Sequence, residues 1–369
     1  MLLSVLCVGT GVVYSRTAQA PATLDQLWQG KAHFTKVAML DWGGTGDEVA
    51  GSFVVEGDTW YVFNRTSARV PTSPDCAHGR FRTVVRASRD HGITWSDPVM
   101  VAEPGDSKAG DGCMVLDGSA YYDADAAIWH LLAQCLDTGD KGWALCHYTR
   151  RSASPLGSFT ADSANPVVRG GQIWSRLCLG PGKACPPTTL DEGTPEIVTK
   201  EDGAYLITFH GFDPVNKQGY RGVARTRDFR TWQTAGPDLP GDATLGPRDC
   251  AGWLINCVGV GAAVSFDDAR YRYMLIETMT KSLECVPGQE WQLELIRAPK
   301  GRWPQSGTAR WQRLPRGTLL TTAYPSPSAV CPVQYARLIA DATGIYLVYE
   351  DWNRARGTVD RPLLKLVRP

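Results

Sequence analysis

Three carboxylates stand at matching places along the chain: Asp47, Asp111 and Glu192. Each comes just ahead of a short apolar run, at 51–55, 113–116 and 197–199 respectively. If those runs are strands that converge on one point, the acids at their entrances share a pocket. Such a set can break a glycosidic bond, with one carboxyl protonated to assist the departing oxygen and one ionised as base or nucleophile. Taken singly, each acid reads equally well as an ordinary turn or capping residue of a Gly-rich loop. Three at one repeated position favour a site.

The elements that must hold them are clearest in residues 190–211, LDEGTPEIVTKEDGAYLITFHG. An acidic knot from Asp191 to Glu196 leads into a strand at 197–199. Glu201-Asp202-Gly203 then has the chemistry of a hairpin turn, and 204–210 reads as the returning strand. The same grammar recurs around Glu56-Gly57-Asp58, Asp267-Asp268-Ala269 and Asp341-Ala342-Thr343-Gly344, and again from Asp111 to 159. No stretch holds a period near 3.6, so the pattern predicts an all-β chain. Repeats of roughly 65 to 80 residues point to a five-bladed β-propeller of four-stranded blades, with a pair of sandwiches as the plainer arrangement. A strand at 34–40 precedes the first repeat and would complete the last blade, removing an open edge.

Lys+Arg and Asp+Glu are both 38 in 369 residues, so no net charge draws nucleic acid or an anionic membrane. The first twenty residues are apolar from Leu2 to Tyr14 and end in Ala18-Gln19-Ala20, which reads as a signal peptide ahead of a domain at 21–369. A secreted, extracellular or periplasmic location fits the cysteines: eleven in all, ten once Cys7 leaves with the signal. Cys135/Cys146, Cys178/Cys185 and Cys250/Cys257 are close enough in sequence to staple loops. No CxxC spacing suggests zinc, and no metal or cofactor is expected.

Ser88-Arg89-Asp90-His91-Gly92-Ile93-Thr94-Trp95 is a complete S-x-D-x-G-x-T-W Asp-box of the kind found in sialidases and other propellers. It speaks for fold and reads as structural, its Ser and Asp serving turn amides and Gly92 taking a positive φ. Asp228-Phe229-Arg230-Thr231-Trp232 reads the same way.

Glu192-Gly193-Thr194-Pro195, followed by strand, Asp-Gly turn and a Tyr-containing strand, resembles the general-acid segment of five-bladed propeller glycoside hydrolases, the arabinanase/β-xylosidase and invertase/levanase group. Ser154-Pro155-Leu156-Gly157-Ser158-Phe159 and residues 228–232 are similar to that group too. The resemblance implies Asp47 as base or nucleophile, Asp111 as the residue that tunes pKa, and Glu192 as acid. Asp41 and Glu48 compete with Asp47; Asp117, Asp123 and Asp125 compete with Asp111; Glu196 competes with Glu192.

Trp42, Trp174 and Trp253 offer faces for sugar stacking or for packing between blades, and Arg248 could line the pocket or pair within its loop. Asn64-Arg65-Thr66 is a glycosylation sequon. The expected partner is an oligo- or polysaccharide met by a monomer, cleaved at a furanoside or xyloside linkage. A sialidase-like hydrolase and a non-catalytic glycan-binding propeller are the alternatives.

Overall fold

The computed structural model describes residues 20–369 apart from 43–47, 68–75, 77–78, 106–109, 138–142, 170–171, 174–192, 214–215, 217, 242, 255, 281–289, 302, 305–310, 322–332 and 354–357. The chain is nearly all β. Its strands form successive antiparallel meanders, each begun by a leading strand: Ala50–Glu56, Met114–Asp123, Gly193–Glu201, Cys257–Asp267 and Gln334–Asp341. The third leading strand starts at Gly193, earlier than its apolar run suggests. Tight turns return each chain, and in one of them Asp202 and Gly203 take φ of 51° and 71°, the left-handed pair that a two-residue hairpin loop requires.

The first meander is stitched to the second, and the third to the fourth, by single parallel pairings, Phe81 with Met114 and Gly219 with Gly259. Strand His33–Met39 pairs antiparallel with Pro362–Val367, so the early strand completes the sheet of the last meander.

The core lies between meanders. Phe63, Val85 and Trp129 pack where the first meets the second. Ile207, Phe209 and Leu132 pack where the second meets the third. Val223, Val260 and Ile276 join the third to the fourth, and Leu275, Leu293 and Leu347 the fourth to the fifth. A further cluster of Trp60, Val62, Tyr346 and Val348 joins the fifth to the first. Each fully buried aliphatic or aromatic side chain contributes roughly 1.5–3 kcal/mol, and the period-2 strands supply one such face to each neighbour.

Hydrogen bonds from side chains of the leading strands run around the centre in one direction. Ser52 Oγ accepts from Ala120 N (3.3 Å), Ser119 Oγ from Ile197 N (3.0 Å) and Glu196 Oε1 from Ser265 N (2.6 Å). Arg337 donates from Nε and an Nη to Gly51 O at 3.0 and 2.7 Å. Backbones approach closely here. A Cβ on Gly118 would sit 2.8 Å from Leu132 O and 2.9 Å from Ala133 Cα, neither of which can swing away. Gly118→Ala is therefore expected to cost about 1–3 kcal/mol, read as a lowered urea midpoint at unchanged m-value; a shift equivalent to less than ~0.5 kcal/mol would mean that the strands separate freely.

The described cysteines form Cys76–Cys113, Cys135–Cys146 and Cys250–Cys257. The first spans 37 residues and was not among the close pairs; Cys178 and Cys185 lie outside the described residues. Among the described residues no helix is long and apolar enough to cross a membrane.

Candidate active site

All five leading strands lose register at one level, between Ala50 and Ser52, Leu116 and Ser119, Gly193 and Glu196, Val260 and Ala263, and Gln334 and Arg337. An extra residue at such a bulge bends the strand and re-aims its side chains, which is why bulges gather beside active sites. Asp117, Thr194 and Tyr335 sit in the bulges with φ of 47°, 34° and 48°, a region that costs a non-glycine residue about 1–2 kcal/mol. The residues that follow the bulges, from all five strands, line one cavity of about 340 Å³.

Asp117 is buried. Its Oδ2 accepts from Arg65 Nη1 at 3.0 Å and from Tyr335 Oη at 3.3 Å. Its Oδ1 is enclosed and has no hydrogen-bond partner among the described residues. Arg65 lies beside the rings of Phe81 and Tyr335, 5.6 and 5.9 Å from their centres. One oxygen is thus fixed and the other enclosed, so the carboxylate is held in place at the bulge.

Glu48, two residues before its strand, is buried and fully engaged: it accepts from Thr66 Oγ1 (2.9 Å), Asn64 Nδ2 (3.3 Å) and Arg86 Nη2 (3.1 Å). Burial lowers the Arg86 pKa, and Glu48 opposes that shift. Asn64 is itself buried, so the sequon at 64–66 presents no exposed acceptor.

Glu196 lines the cavity and accepts from Ser265 N, Ser265 Oγ (3.1 Å) and Thr208 Oγ1 (3.2 Å). Burial raises its pKa, against the pull of Ser265, Arg221 and Arg337. Both oxygens are spent joining the third meander to the fourth, so Glu196 works as a strut. Arg221 beside it is fully buried, brought down to about 10 by burial, and donates to Thr194 Oγ1 (3.0 Å) and Thr208 Oγ1 (2.9 Å).

Asp47 and Glu192 lie outside the described residues. Asp111 is buried away from the cavity's lining residues, accepting from Tyr148 Oη at 2.7 Å, with its pKa raised by burial. Trp42 is buried edge-on to Phe53 and Trp95 with Arg361 4.3 Å over its ring, so its faces are taken by packing. Arg248 is exposed, 3.9 Å from Asp249, and Trp253 is half-buried near Arg313 at 5.9 Å. Neither lines the cavity, and Trp174 is outside the described residues.

Among the rival acids, Asp41 and Asp125 are exposed, and Asp123 at the far end of its strand is held by Lys200 (2.7 Å) and Tyr205 (2.6 Å). The structure brings Asp117, Glu48 and Glu196 to the bulged ends. Arg65, Tyr335, Arg221 and Arg337 were not read from the sequence as site residues. The three arginines carried a signal: a charge inside an apolar strand is costly unless it is paired.

The Asp-box turn lies apart from the cavity. Ser88 Oγ accepts from Gly92 N (2.8 Å), and Asp90 accepts from Thr94 N (2.9 Å) and Thr94 Oγ1 (2.6 Å). Those bonds to Thr94 hold the Asp90 carboxyl near 2.

No known family's sequence profile matches the chain, and no curated protein sequence does. Solved structures do. One described as a glycoside hydrolase superposes with a TM-score of 0.61 at 11% identity, covering 94% of this chain and 95% of its own. A family 117 glycoside hydrolase of the marine bacterium Zobellia galactanivorans gives 0.57 at 10%, covering 91% and 90%. An endo-arabinase of Bacteroides thetaiotaomicron gives 0.54 at 14%, covering 91% and 98%. The chain therefore shares its fold with glycoside hydrolases of the group it resembles in sequence.

Proposed function

We propose that this chain is a secreted glycoside hydrolase that cleaves a furanoside- or xyloside-type bond at the axis of a closed, five-bladed β-propeller. Closure is supported by the Arg337–Gly51 hydrogen bonds and by the apolar cluster that joins the last meander to the first. The disulfides fit an oxidising compartment. The solved structures of like fold include an endo-arabinase, an α-L-arabinofuranosidase and a β-fructofuranosidase, which supports furanosides as the substrate class.

The observation that carries the reading is Asp117, held through one oxygen and enclosed at the other where five strands bulge. In this reading Asp117 takes the place first given to Asp111. It is the second-blade anion that raises the proton affinity of a neighbouring acid, because like charge disfavours ionisation. Glu192, the residue before Gly193, protonates the leaving oxygen. Asp47, the residue before Glu48, is the base or nucleophile.

Purified protein tested against aryl arabinofuranosides, xylosides, fructosides and sialosides is expected to turn over a furanoside or xyloside. Glu192→Gln should lose ~10²–10⁴-fold of that rate and regain part of it on a substrate whose leaving group needs no proton. Turnover of sialosides alone, or of no glycoside, would sink the reading.

A further inference from the structure

A chain of titratable side chains crosses the seam between the second and third meanders, and none of its members lines the axial cavity. Asp162 Oδ2 lies 3.3 Å from His147 Nδ1, and His147 Nε2 lies 2.9 Å from His130 Nδ1. His130 Nε2 is in turn 3.0 Å from Tyr205 Oη, which is 2.6 Å from Asp123 Oδ2.

The carboxylates at the two ends are ionised. Lys200 Nζ donates to Asp123 Oδ2 at 2.7 Å, while Arg230 Nη2 and Ala164 N both donate to Asp162 Oδ1 at 2.9 Å. Against burial, bonds from Lys200 and Tyr205 at Asp123, and from Ala164 and Arg230 at Asp162, hold both carboxyls below their usual range. Between the ends stand two imidazoles and a phenol, each of which carries one proton when neutral. Four contacts therefore share three protons, and one contact must bring two lone pairs together.

Length says which. A formed N–H···O bond spans about 2.7–3.2 Å, so the 3.3 Å contact of His147 with Asp162 is the empty one. The 2.6 Å contact of Tyr205 with Asp123 has to hold a proton. Backbone bonds keep the empty contact from opening further. Asp162 N donates to His147 O at 2.9 Å, and Asn165 bonds to His147 N and O at 2.8 and 3.0 Å.

We propose that this chain is a one-proton switch built across the seam. In its open state every proton points toward Asp123: Tyr205 donates to Asp123, His130 Nε2–H to Tyr205, and His147 Nε2–H to His130 Nδ1. On acidification one proton enters at His147 Nδ1, forms the missing bond to Asp162 and closes the chain. It arrives from the Asp162 end, which lies beside the exposed Arg230. The pair takes one proton before a second because a charged His147 opposes charge on His130, as does Lys200 beyond Tyr205. Phe229 stacks on both rings and excludes water, while Tyr121, edge-on to Tyr205, and the exposed Asp125 complete the titratable surroundings.

Long-range ¹H–¹⁵N spectra of the full chain with labelled histidine report which ring nitrogen bears hydrogen. At neutral pH both His130 and His147 are expected to carry it on Nε2. Tyr205→Phe leaves two contacts for the two imidazole protons, so both rings should reverse to Nδ1–H. Asp162→Asn sets an amide donor against the bare Nδ1 while its oxygen still serves Arg230 and Ala164. It should keep both tautomers and raise the urea midpoint, and it serves if Tyr205→Phe does not fold. As the pH falls, His147 should become imidazolium before His130. An Nδ1–H on either wild-type ring at neutral pH, tautomers that stay put in folded Tyr205→Phe, a midpoint that fails to rise in Asp162→Asn, or His130 charging first would each overturn the proposal.

Discussion

Asp117→Asn is expected to lower kcat on an aryl furanoside by ~10²–10⁴-fold with little change in fold. Asparagine keeps the shape and removes the charge. Arg65 and Tyr335 hold Oδ2 at 3.0 and 3.3 Å, so the carboxylate cannot turn away, and Oδ1 stays enclosed in the bulge. If this anion raises the proton affinity of the catalytic acid, its removal lets that acid ionise earlier. The alkaline limb of the kcat/KM profile should then move to lower pH. Tyr335→Phe, which removes a donor and leaves a ring for Arg65, should shift the profile less. An Asp117→Asn rate within about twofold of wild type would place the chemistry elsewhere, since loss of a positioned acid or base costs far more.

Acidification should weaken the fold well before its carboxylates titrate in the usual range. Three histidines are responsible. His147 Nε2 lies 2.9 Å from His130 Nδ1, and His130 Nε2 lies 3.0 Å from Tyr205 Oη. Both rings stack on Phe229, 5.1 and 3.9 Å between centres for His130 and His147. Burial brings both down to about 4, aided at His130 by His147 and opposed at His147 by Asp162, and His210 stands at about 3.

An unfolded histidine titrates near 6.5, so between that pH and 4 the unfolded chain binds more protons than the folded one. Stability is then fully present above about 6.5 and is lost as pH falls, by roughly 1.4 kcal/mol per pH unit for each histidine. Glu196 and Asp111, whose pKa values burial raises, take protons first in the folded state and soften the slope toward its acid end. Urea midpoints from pH 7.5 to 4.5 measure the effect, and His210→Phe should flatten the slope by one proton. A midpoint that stays level across this range would contradict it.

Much of the scaffold was legible in the residues. Alternation gave the strands, Asp202-Gly203 gave a hairpin, and the early strand found its partner beside Pro362–Val367. The site was less legible, and the bulges explain why. Asp111 looks like the acid that opens the second meander because it precedes the apolar run. Its strand begins at Met114, however, and reaches the centre only where register slips between Leu116 and Ser119. A bulge shifts alternation by one residue and leaves no mark in composition beyond a glycine such as Gly118. Trp42 misled for a related reason: an indole serves packing and sugar stacking equally, and only Phe53, Trp95 and Arg361 around it show which. Cys76 and Cys113 are far apart in sequence, so their partnership depended on a fold that spacing alone does not give.

The pairing of His33–Met39 with Pro362–Val367 also sets the order in which the molecule comes into being. During synthesis the early strand emerges long before its partner exists, and it has to wait unpaired while the intervening meanders assemble. Joining ends this distant in sequence is slow, because loop-closure entropy must be met before the contact returns anything. Loss of the final strand alone would strip His33–Met39 of its neighbour and bare the edge of Gly344–Asn353. A truncated chain of this kind presents two unpaired edges, the form in which β proteins most readily associate with one another.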